Sequence, residues 1–392
     1  MRKNNMFGIY IHIPFCHQRC PFCDFTLTTH APSKLMDDYI GAVCKEIKQK
    51  ASSTILTSIY LGGGTPSILS TQHLNFLLDA LKKNFNWAND LELTLEANPE
   101  DISVPRAQSW KQLGINRISL GVQSMDNQQL KRLGRNHNEN QVCEAFQLLR
   151  EAKFHNISVD LMFGLENQTL QSWKNSLLKT IQLQPTHIST YNLTIEKNTK
   201  YNQEFLAGTL SLPSDDLQSE MMMEKNLILE KYSFVPYEIS NASIAQFESR
   251  HNMLYWTGKP YLGFGVSAHS FEKMSRDANN PCAFDKYHRY WNTKNIPTYI
   301  QKIESGKSAI DSEEILDHHT HLTERLMTGL RLKNGVDLKN LESEGLVLSE
   351  KMKTQLLHLV ENGFLMREHS TISIPTQHTP ITNEILLRLF AN

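Results

Sequence analysis

Residues 8–25 read GIYIHIPFCHQRCPFCDF, a β-rich run that leads directly into three closely spaced cysteines. The run Gly8–Ile13 predicts a strand. The spacing Cys16-x3-Cys20-x2-Cys23 puts three thiols on one short loop after that strand. Three thiolates so close together can converge on one 4Fe–4S cubane and leave its fourth iron without a protein ligand. The segment therefore predicts a metal cluster at the end of the first strand.

A zinc site is the alternative for these cysteines. Zinc usually takes four protein ligands, and His12 or His17 could supply the fourth. Of the other cysteines, Cys44 and Cys143 fall in stretches that predict helices, and Cys282 falls in a loop-like stretch. We expect these three to be small buried side chains rather than metal ligands.

Length and charge set the class of protein. With 392 residues the chain can form one large α/β domain and a smaller appended one. Lys and Arg number 40 and Asp and Glu 41, so the net charge of -1 gives no support to nucleic-acid binding. No apolar stretch approaches the ~20 residues of a membrane span, and the basic N-terminus lacks the form of a signal peptide. We expect a cytoplasmic protein, in which clustered cysteines indicate metal chemistry rather than disulfides.

The first half of the chain alternates short β-rich runs with amphipathic helical stretches. The predicted strands are Gly8–Ile13, Ser58–Leu61, Leu91–Glu96, Arg117–Val122, Ser158–Met162 and His187–Tyr191. The predicted helices include Lys34–Lys50, Thr71–Asn84, Val104–Leu113 and Gln141–Ala152. This alternation is typical of a parallel sheet with right-handed crossovers, and six such units predict a partial (β/α)6 barrel of the TIM type.

Beyond Pro213 the alternation stops, and we divide the chain into a barrel core (1–212), a barrel-closing region (213–305) and a C-terminal domain (306–392). The middle region predicts a helix over Leu217–Tyr232, a strand over Val235–Ser240 and irregular structure over Ser275–Pro297. For the C-terminal domain, a winged-helix-like α+β fold follows from predicted helices at Glu313–Leu330, Asp337–Glu344, Ser349–Asn362 and Ile381–Phe390 and short β runs at Phe364–Met366 and Thr371–Ile374.

Unusual residues follow the predicted strands one after another. Gly62–Pro66 comes after the second strand, Glu96 ends the third, Gln123 follows the fourth, and Asp160 lies in the fifth, with Arg135 in a loop between the last two. Each alone could be an ordinary turn or packing residue. In a barrel, ligand-binding residues gather where strands end and loops begin, so their joint placement predicts one binding site.

Five segments carry a resemblance to a known family: residues 10–16 (YIHIPFC), 62–67 (GGGTPS), 121–124 (GVQS), 134–137 (GRNH) and 160–165 (DLMFGL). Together they resemble the HemN/HemW branch of the radical S-adenosylmethionine (SAM) proteins, over nearly the whole chain. The resemblance implies a partial (β/α)6 barrel, a 4Fe–4S cluster on Cys16, Cys20 and Cys23, and SAM at the barrel mouth. It assigns to SAM, or to a second SAM-like ligand, Tyr10, Phe22, Gly63, Gly64, Thr65, Glu96, Gln123, Arg135 and Asp160.

The branch contains two different functions. Its oxygen-independent coproporphyrinogen III dehydrogenases carry one more cysteine two positions past the third cluster ligand, where this chain has Phe25, and they carry an N-terminal extension where this chain has a few residues. Residues 251–256 (HNMLYW) match the HNxxYW motif of the HemW-type heme chaperones. The resemblance therefore implies a heme site in which His251 offers an imidazole and Tyr255 and Trp256 offer aromatic faces. Without the resemblance, a capped turn with two packed aromatics is the simpler interpretation.

A heme chaperone that passes heme to acceptor apo-hemoproteins is therefore the function we expect, with respiratory enzymes among the candidate acceptors. The alternative is the dehydrogenase, which removes propionate carboxylates by radical chemistry; whether the chain is an enzyme is not decided by its sequence. An iron–sulfur protein that binds nucleic acid is disfavoured, because no Lys/Arg-rich recognition helix is present. Transient membrane association and a homodimer are left open by the sequence.

Overall fold

The computed structural model describes residues 6–274 and 286–390. The strands are β1 Gly8–Ile13, β2 Phe15–Cys16, β3 Thr28–Thr29, β4 Ile55–Gly63, β5 Asn86–Ala97, β6 Arg117–Gln123, β7 Asn156–Phe163, β8 His187–Asn192, β9 Val235–Pro236, β10 Asn241–Ser243, β11 Tyr261–Phe264, β12 His269–Lys273, β13 Tyr287–Asn292, β14 Ile310–Leu316, β15 Val336–Asp337, β16 Met366–Glu368 and β17 Thr371–Ser373. The helices are α1 Ser33–Gln49, α2 Thr71–Asn84, α3 Val104–Gln112, α4 Asn127–Arg132, α5 Glu139–Glu151, α6 Leu170–Gln182, α7 Lys200–Leu206, α8 Asp215–Lys231, α9 Arg250–Trp256, α10 Ile296–Glu304, α11 His318–Gly329, α12 Leu338–Ser343, α13 Glu350–Glu361 and α14 Thr382–Phe390.

One large sheet organises the first three quarters of the chain. Its strand order is β14-β13-β12-β11-β1-β4-β5-β6-β7-β8-β10-β9. The neighbours from β11 to β8 pair in parallel, and the strands outside them pair antiparallel. The six predicted strands and the barrel-type α/β fold are confirmed. The sequence missed β11, which adds a further parallel strand beside β1.

Burial explains why the first strand is so apolar. Ile9, Ile11 and Ile13 are completely buried, as expected of a strand in a parallel sheet that is covered by helices. Helix α1 covers it with Tyr39 and Val43, both also fully buried. Because the parallel strands all run the same way, their carboxyl ends open on one side of the sheet, which is where the site lies.

Three local predictions were wrong. The strand expected over Val235–Ser240 ends at Pro236, and pairing resumes only at Asn241. The stretch Ser275–Pro297, expected to be irregular, contains β13, which the sheet recruits between β12 and β14; residues 275–285, with Cys282, lie outside the described residues. The helix expected from Glu313 begins only after Asp317, whose carboxylate accepts a hydrogen bond from the Thr320 amide at 2.7 Å and caps α11. Pairing with β13 overrides helix propensity in the residues before it.

The C-terminal residues form their own hydrophobic core. Helices α11–α14 pack around the three-stranded sheet β15-β17-β16, with a core that runs from Leu322 to Leu389. This agrees with the expected winged-helix-like domain. Strand β14 belongs to the main sheet, and the strands of residues 213–305 extend both edges of that sheet. The division of the chain at residues 212 and 305 stays a prediction. Within the two described ranges, no helix is both long enough and apolar enough to cross a membrane.

Candidate functional site

A cavity of about 350 Å³ opens at the carboxyl ends of the parallel strands. The predicted residues that line it are Cys16, Cys20, Cys23, Phe22, Gly63, Gly64, Thr65, Glu96, Gln123, Arg135 and Asp160. They come from the loop after β1, from the carboxyl-terminal halves of β4, β5, β6 and β7 or the residues just after them and, for Arg135, from the loop between α4 and α5. The expectation that strand-end residues meet at one mouth is therefore met by the geometry of the fold.

The cysteine loop is folded back on itself by a single guanidinium. Arg19 donates to the carbonyls of Cys23, Phe25 and Leu27 at 3.2–3.3 Å. At the base of the loop, the Thr65 hydroxyl donates to the sulfur of Cys16 at 3.3 Å. These bonds present the three thiols to one cavity, in which none forms a disulfide.

The loop fits an iron–sulfur cluster. Burial raises the pKa of Cys16 to about 11 and also raises the pKa of Cys23, so both thiols would keep their protons without a bound cation. Iron supplies the positive charge that turns such thiols into thiolate ligands. A Cβ on Gly64 would lie 3.0 Å from the Cys16 sulfur and 2.7 Å from the Phe15 carbonyl oxygen, so the absence of a side chain there keeps the space beside the sulfur open.

The histidines that could complete a zinc site are engaged elsewhere. His12 Nε2 lies 2.8 Å from the Thr26 carbonyl and its Nδ1 lies 3.1 Å from the Tyr10 hydroxyl. His17 Nε2 lies 3.0 Å from the Asp101 carboxylate. In the described ranges, no group of three or more His, Cys, Asp or Glu side chains, the three cysteines included, is arranged around a metal ion. The two interpretations differ in the fourth ligand: a zinc site usually needs one from the protein, and both histidines are engaged, whereas a cluster with an open iron needs none.

Glu96 lies at the floor of the cavity. Its carboxylate accepts from the Tyr60 hydroxyl at 2.7 Å and from the Gly63 amide at 3.1 Å. Burial, opposed by these two bonds, raises the pKa of Glu96 to about 7, and the neighbouring Asp160 adds to the rise. A cationic ligand in the cavity would favour the ionised form of this carboxyl.

Arg135 reaches across the cavity towards the cysteines. Its Nη2 donates to Asn98 Oδ1 at 2.6 Å and to the Gly121 carbonyl at 2.8 Å, and its Nη1 lies 3.6 Å from the Cys20 sulfur. The buried Nε has no hydrogen-bond partner among the residues that the structure describes. A buried guanidinium donor without an acceptor suits a ligand carboxylate.

The end of β6 is distorted where Gln123 enters the cavity. The register between β6 and β7 shifts between Gly121 and Gln123, and Gln123 has a φ of 69°, in the left-handed region that a residue with a side chain rarely adopts. A bulge of this kind re-aims a side chain at the end of a strand. Here it places the Gln123 amide in the cavity wall.

Asp160 is held by a hydroxyl and a buried cation. The Ser119 hydroxyl lies 3.2 Å from both carboxylate oxygens. Burial raises the pKa of Asp160, and the positive charge of Arg117 opposes that rise. Arg117 itself is 1% exposed, and its Nε and Nη1 lack hydrogen-bond partners in residues 6–274 and 286–390. The Ser119 hydroxyl and the charge of Arg117 offset the cost of burying this carboxylate in an apolar strand.

Tyr10, His251 and Trp256 do not line the cavity. Tyr10 lies behind its wall, stacked on Tyr60 with ring centroids 6.3 Å apart. His251 is 1% exposed; its Nδ1 lies 3.0 Å from the Ser58 hydroxyl and its Nε2 lies 2.9 Å from the Tyr255 hydroxyl. Burial, and then the charge of Arg117, lower the pKa of His251 to about 3. With both ring nitrogens engaged, neither is available to an iron in this conformation, contrary to the expected ligand role.

The remaining two motif aromatics face the outside of the barrel. Tyr255 lines a cavity of about 210 Å³ that also contains His321 of α11, and Trp256 lines a separate groove of about 700 Å³. Of the other cysteines, Cys44 is half-buried, but Cys143 is exposed on α5, so the expectation that it is buried was wrong.

Several residues of the site escaped sequence reasoning, four of which shape it most. Tyr60 and Tyr191 line the cavity, Asn98 holds Arg135, and Arg117 lies beneath Asp160. The alternation of side chains along β4 gave no signal for Tyr60, because it faces the same side as Gly62, which does not line the cavity. Arg117 stands at the start of its strand, and its sequence position carries no signal of burial.

The cavity can therefore hold an amino-acid-like ligand beside a three-cysteine cluster. Arg135 provides a donor for a carboxylate, and Glu96 an acceptor for a hydroxyl or a cation. Residues 10–179 match the family model of the radical SAM superfamily, and residues 316–376 match the model of the HemN C-terminal domain.

Similar proteins cover the chain from end to end. Heme chaperone HemW of Bacillus subtilis is 33% identical over 97% of this chain and 98% of its own length. Heme chaperone HemW of Lactococcus lactis is 33% identical over 96% of this chain and 95% of its own. The solved structure of coproporphyrinogen III oxidase (HemN) from Escherichia coli superposes with a TM-score of 0.83, covering 99% of this chain and 90% of that one, at 21% identity, which shows a shared fold.

Proposed function

This chain belongs to the HemW family of radical SAM proteins, and on that basis we propose that it is a heme chaperone that carries a SAM-coordinated 4Fe–4S cluster. It binds heme and delivers it to acceptor hemoproteins. The observation that carries the proposal is similarity over the whole length of relatives named as heme chaperones, together with a cavity that joins the three cysteines to Glu96 and Arg135.

The three cysteines hold the cluster and the cavity holds SAM. Arg135 orients the SAM carboxylate through its unpartnered Nε, Glu96 accepts from the ribose or faces the cationic part of SAM, and Gln123 and Asp160 complete the walls. A cluster with an open iron supplies single electrons and a binding position for the amino and carboxylate groups of SAM. The apolar ring of Phe22 beside the cysteines limits the access of water.

The HNxxYW segment, residues 251–256, contributes to heme binding through the side chains that face away from the barrel. We assign His251 a positioning role, because its imidazole ties Ser58 on the barrel to Tyr255 on α9. Trp256 offers the porphyrin an aromatic face at the end of the same helix. Replacing His251 would therefore weaken heme binding by displacing Tyr255 and α9, not by removing a ligand of the heme iron.

Coproporphyrinogen III dehydrogenase is the rival function. It shares the fold, but Phe25 stands where the dehydrogenases carry a further cysteine, and its side chain is 57% exposed at the edge of the cavity. Anaerobically reconstituted protein supplied with SAM, a reductant and coproporphyrinogen should form no protoporphyrinogen, while the same preparation binds heme in a spectroscopic titration. Formation of protoporphyrinogen over many turnovers would replace the chaperone by the dehydrogenase.

We further propose that the protein works in the cytoplasm and that its acceptors are apo-hemoproteins, with respiratory enzymes as the first to test. Incubation of heme-loaded protein with candidate apo-enzymes, followed by separation and a pyridine hemochrome assay of each fraction, identifies which of them take heme. Sedimentation and liposome flotation of the loaded protein show whether it forms a dimer or associates with a membrane.

A further inference from the structure

We propose that His251 is a positioning residue for the SAM cavity: its imidazole holds the ring of Tyr60, and the Tyr60 hydroxyl orients the Glu96 carboxylate. This inference rests on the proposed binding of SAM beside Glu96. It gives the HNxxYW segment a second role, because the histidine that holds Tyr255 on α9 also supports a wall of the SAM cavity.

His251 and Tyr60 form a stack inside the barrel. Their ring centroids lie 5.2 Å apart, and their planes are inclined by 27°. Tyr10 of β1 also stacks on Tyr60, at a centroid distance of 6.3 Å. Aromatic rings at such distances attract one another in preferred orientations. The imidazole therefore helps to set the orientation of the Tyr60 ring.

Tyr60 connects this stack to the cavity. Its hydroxyl donates to Glu96 Oε1 at 2.7 Å, and the Gly63 amide donates to the other carboxylate oxygen at 3.1 Å. The amide is fixed by the backbone of β4, whereas the hydroxyl moves with the ring that carries it. A hydrogen bond weakens steeply when its geometry departs from linearity. A tilt of the Tyr60 ring would therefore weaken the contact that orients Glu96 towards a ligand.

The imidazole is itself held by groups on the barrel and on α9. Its Nδ1 lies 3.0 Å from the Ser58 hydroxyl, and its Nε2 lies 2.9 Å from the Tyr255 hydroxyl. The backbone amide of His251 donates to the Glu92 carboxylate at 3.1 Å. Ser58 and Glu92 lie on β4 and β5, the same strands that carry the two side chains of the cavity wall. The histidine is therefore fixed relative to that wall.

Two glycines make room for the stack. A Cβ on Gly8 would lie 2.7 Å from the Ser58 hydroxyl oxygen and 3.1 Å from His251 Nδ1. A Cβ on Gly62 would lie 2.8 Å from the ring of Tyr60. The rings thus lie close against the backbone of β1 and β4. In a site packed this closely, removal of the imidazole leaves a cavity into which the Tyr60 ring can move.

The bond from Tyr60 also affects the protonation of Glu96. Burial raises the pKa of Glu96 to about 7, and the bond from Tyr60 opposes this rise. A weaker bond would raise the pKa further, so the ionised carboxylate that favours the cationic SAM would form only at higher pH. The titratable or charged groups that surround Glu96 are Tyr10, Tyr60, Arg117, Asp160, Tyr191 and Tyr255.

A double-mutant cycle in the full-length, cluster-reconstituted protein tests this route, with SAM affinity measured by calorimetry across the neutral pH range. Tyr60→Phe removes only the hydroxyl. It should weaken SAM binding about threefold to tenfold near neutral pH and move the rise of affinity to higher pH. His251→Ala should do the same to a smaller extent. Because His251 acts through Tyr60, the double variant Tyr60→Phe/His251→Ala should bind SAM about as tightly as Tyr60→Phe alone.

His187→Ala is the matched control. His187 is another fully buried imidazole in the barrel, but its ring lies beside a different pair of hydroxyls, Ser158 at 2.7 Å and Tyr237 at 2.8 Å. This variant should keep the SAM affinity and the pH profile of the wild type. Tyr255→Phe removes only the hydroxyl at His251 Nε2 and should act in the same direction as His251→Ala but more weakly. It takes the place of His251→Ala in the cycle if that variant does not fold.

Additive losses in the cycle, or a wild-type pH profile in both His251→Ala and Tyr255→Phe, would overturn the inference while leaving SAM binding, and so the proposed function, intact. An equal shift in His187→Ala would also overturn it, because loss of any buried imidazole of the barrel would then have the same effect. Failure of the wild type to bind SAM at all would overturn both the inference and the proposed SAM site.

Discussion

Replacement of Arg135 by alanine is the most direct test of the SAM cavity. The Nη2 of Arg135 donates to Asn98 and to the Gly121 carbonyl, and its Nη1 lies 3.6 Å from the Cys20 sulfur. Its Nε has no hydrogen-bond partner within the described part of the chain. The Nε is therefore the donor left for a ligand carboxylate. Arg135→Ala should weaken SAM binding while the cluster remains in place.

The size of the effect follows from the contact that is lost. A hydrogen bond between a guanidinium and a carboxylate contributes about 1.5–3 kcal/mol. This corresponds to a loss of roughly tenfold to a hundredfold in SAM affinity, because about 1.4 kcal/mol equals a factor of ten. Arg135→Lys should lie between wild type and alanine, since an ammonium keeps the charge but not the planar fork of donors.

Isothermal titration calorimetry of SAM into anaerobically reconstituted protein measures the affinity, and iron and sulfide analysis of the same samples measures the cluster. Lys131→Ala, which removes an exposed cation from the neighbouring helix α4, is the control and should bind SAM like wild type. Equal affinities in wild type and Arg135→Ala, with full cluster in both, would show that the carboxylate of SAM lies elsewhere.

Three further changes test the rest of the site. Cys20→Ser should abolish the cluster, with close to four irons and four sulfides per chain falling to near zero, whereas Cys143→Ser on the exposed face of α5 should keep it; stoichiometric zinc without sulfide in the wild type would refute the cluster. Burial, and then the charge of Asp160, raise the pKa of Glu96 to about 7, and the bonds from Tyr60 and Gly63 oppose the rise. The affinity for SAM should therefore increase as the pH rises through 7, because the ionised carboxylate favours a cationic ligand. Glu96→Gln should flatten that pH profile, and an unchanged profile would remove this carboxyl from the SAM site. Gly64→Val should reduce cluster content after reconstitution, because a side chain there would meet the Phe15 carbonyl and the Cys16 sulfur; full cluster content in this variant would show that the loop can move aside.

The barrel and its mouth could be predicted from the sequence because their signals are local. Buried parallel strands such as β1 are short apolar runs, and side chains that bind ligands follow them directly along the chain. Strands β11 to β14 could not be predicted in the same way. Strand β11 is a run of only four residues that becomes a strand by pairing with β1. Strands β12 to β14 have mixed polar patterns, with exposed acids at 313 and 314 on β14, and each becomes a strand by pairing with the strand before it.

The motif of residues 251–256 predicts that His251, Tyr255 and Trp256 contact one heme. On the seven-residue helix α9 they point in different directions: His251 into the barrel, and Trp256 to the groove. The orientation depends on Ser58 and Glu92, which lie on β4 and β5 and are distant in sequence. The sequence indicates which residues matter, and the fold determines which of them can reach a ligand.

Transfer of heme to an apoprotein is the decisive test of the chaperone function. Heme-loaded wild-type protein is mixed with a heme-free acceptor such as apomyoglobin, and the rate of acceptor reconstitution is followed by its Soret absorption. The same measurement is made with heme-loaded His251→Ala, in which Tyr255 loses its partner on the imidazole, and with equimolar free heme. Wild type should deliver heme faster than the variant, with the same cluster content in both. Equal rates from wild type and His251→Ala would contradict the positioning role of His251, and wild-type delivery no better than free heme would contradict the chaperone function itself.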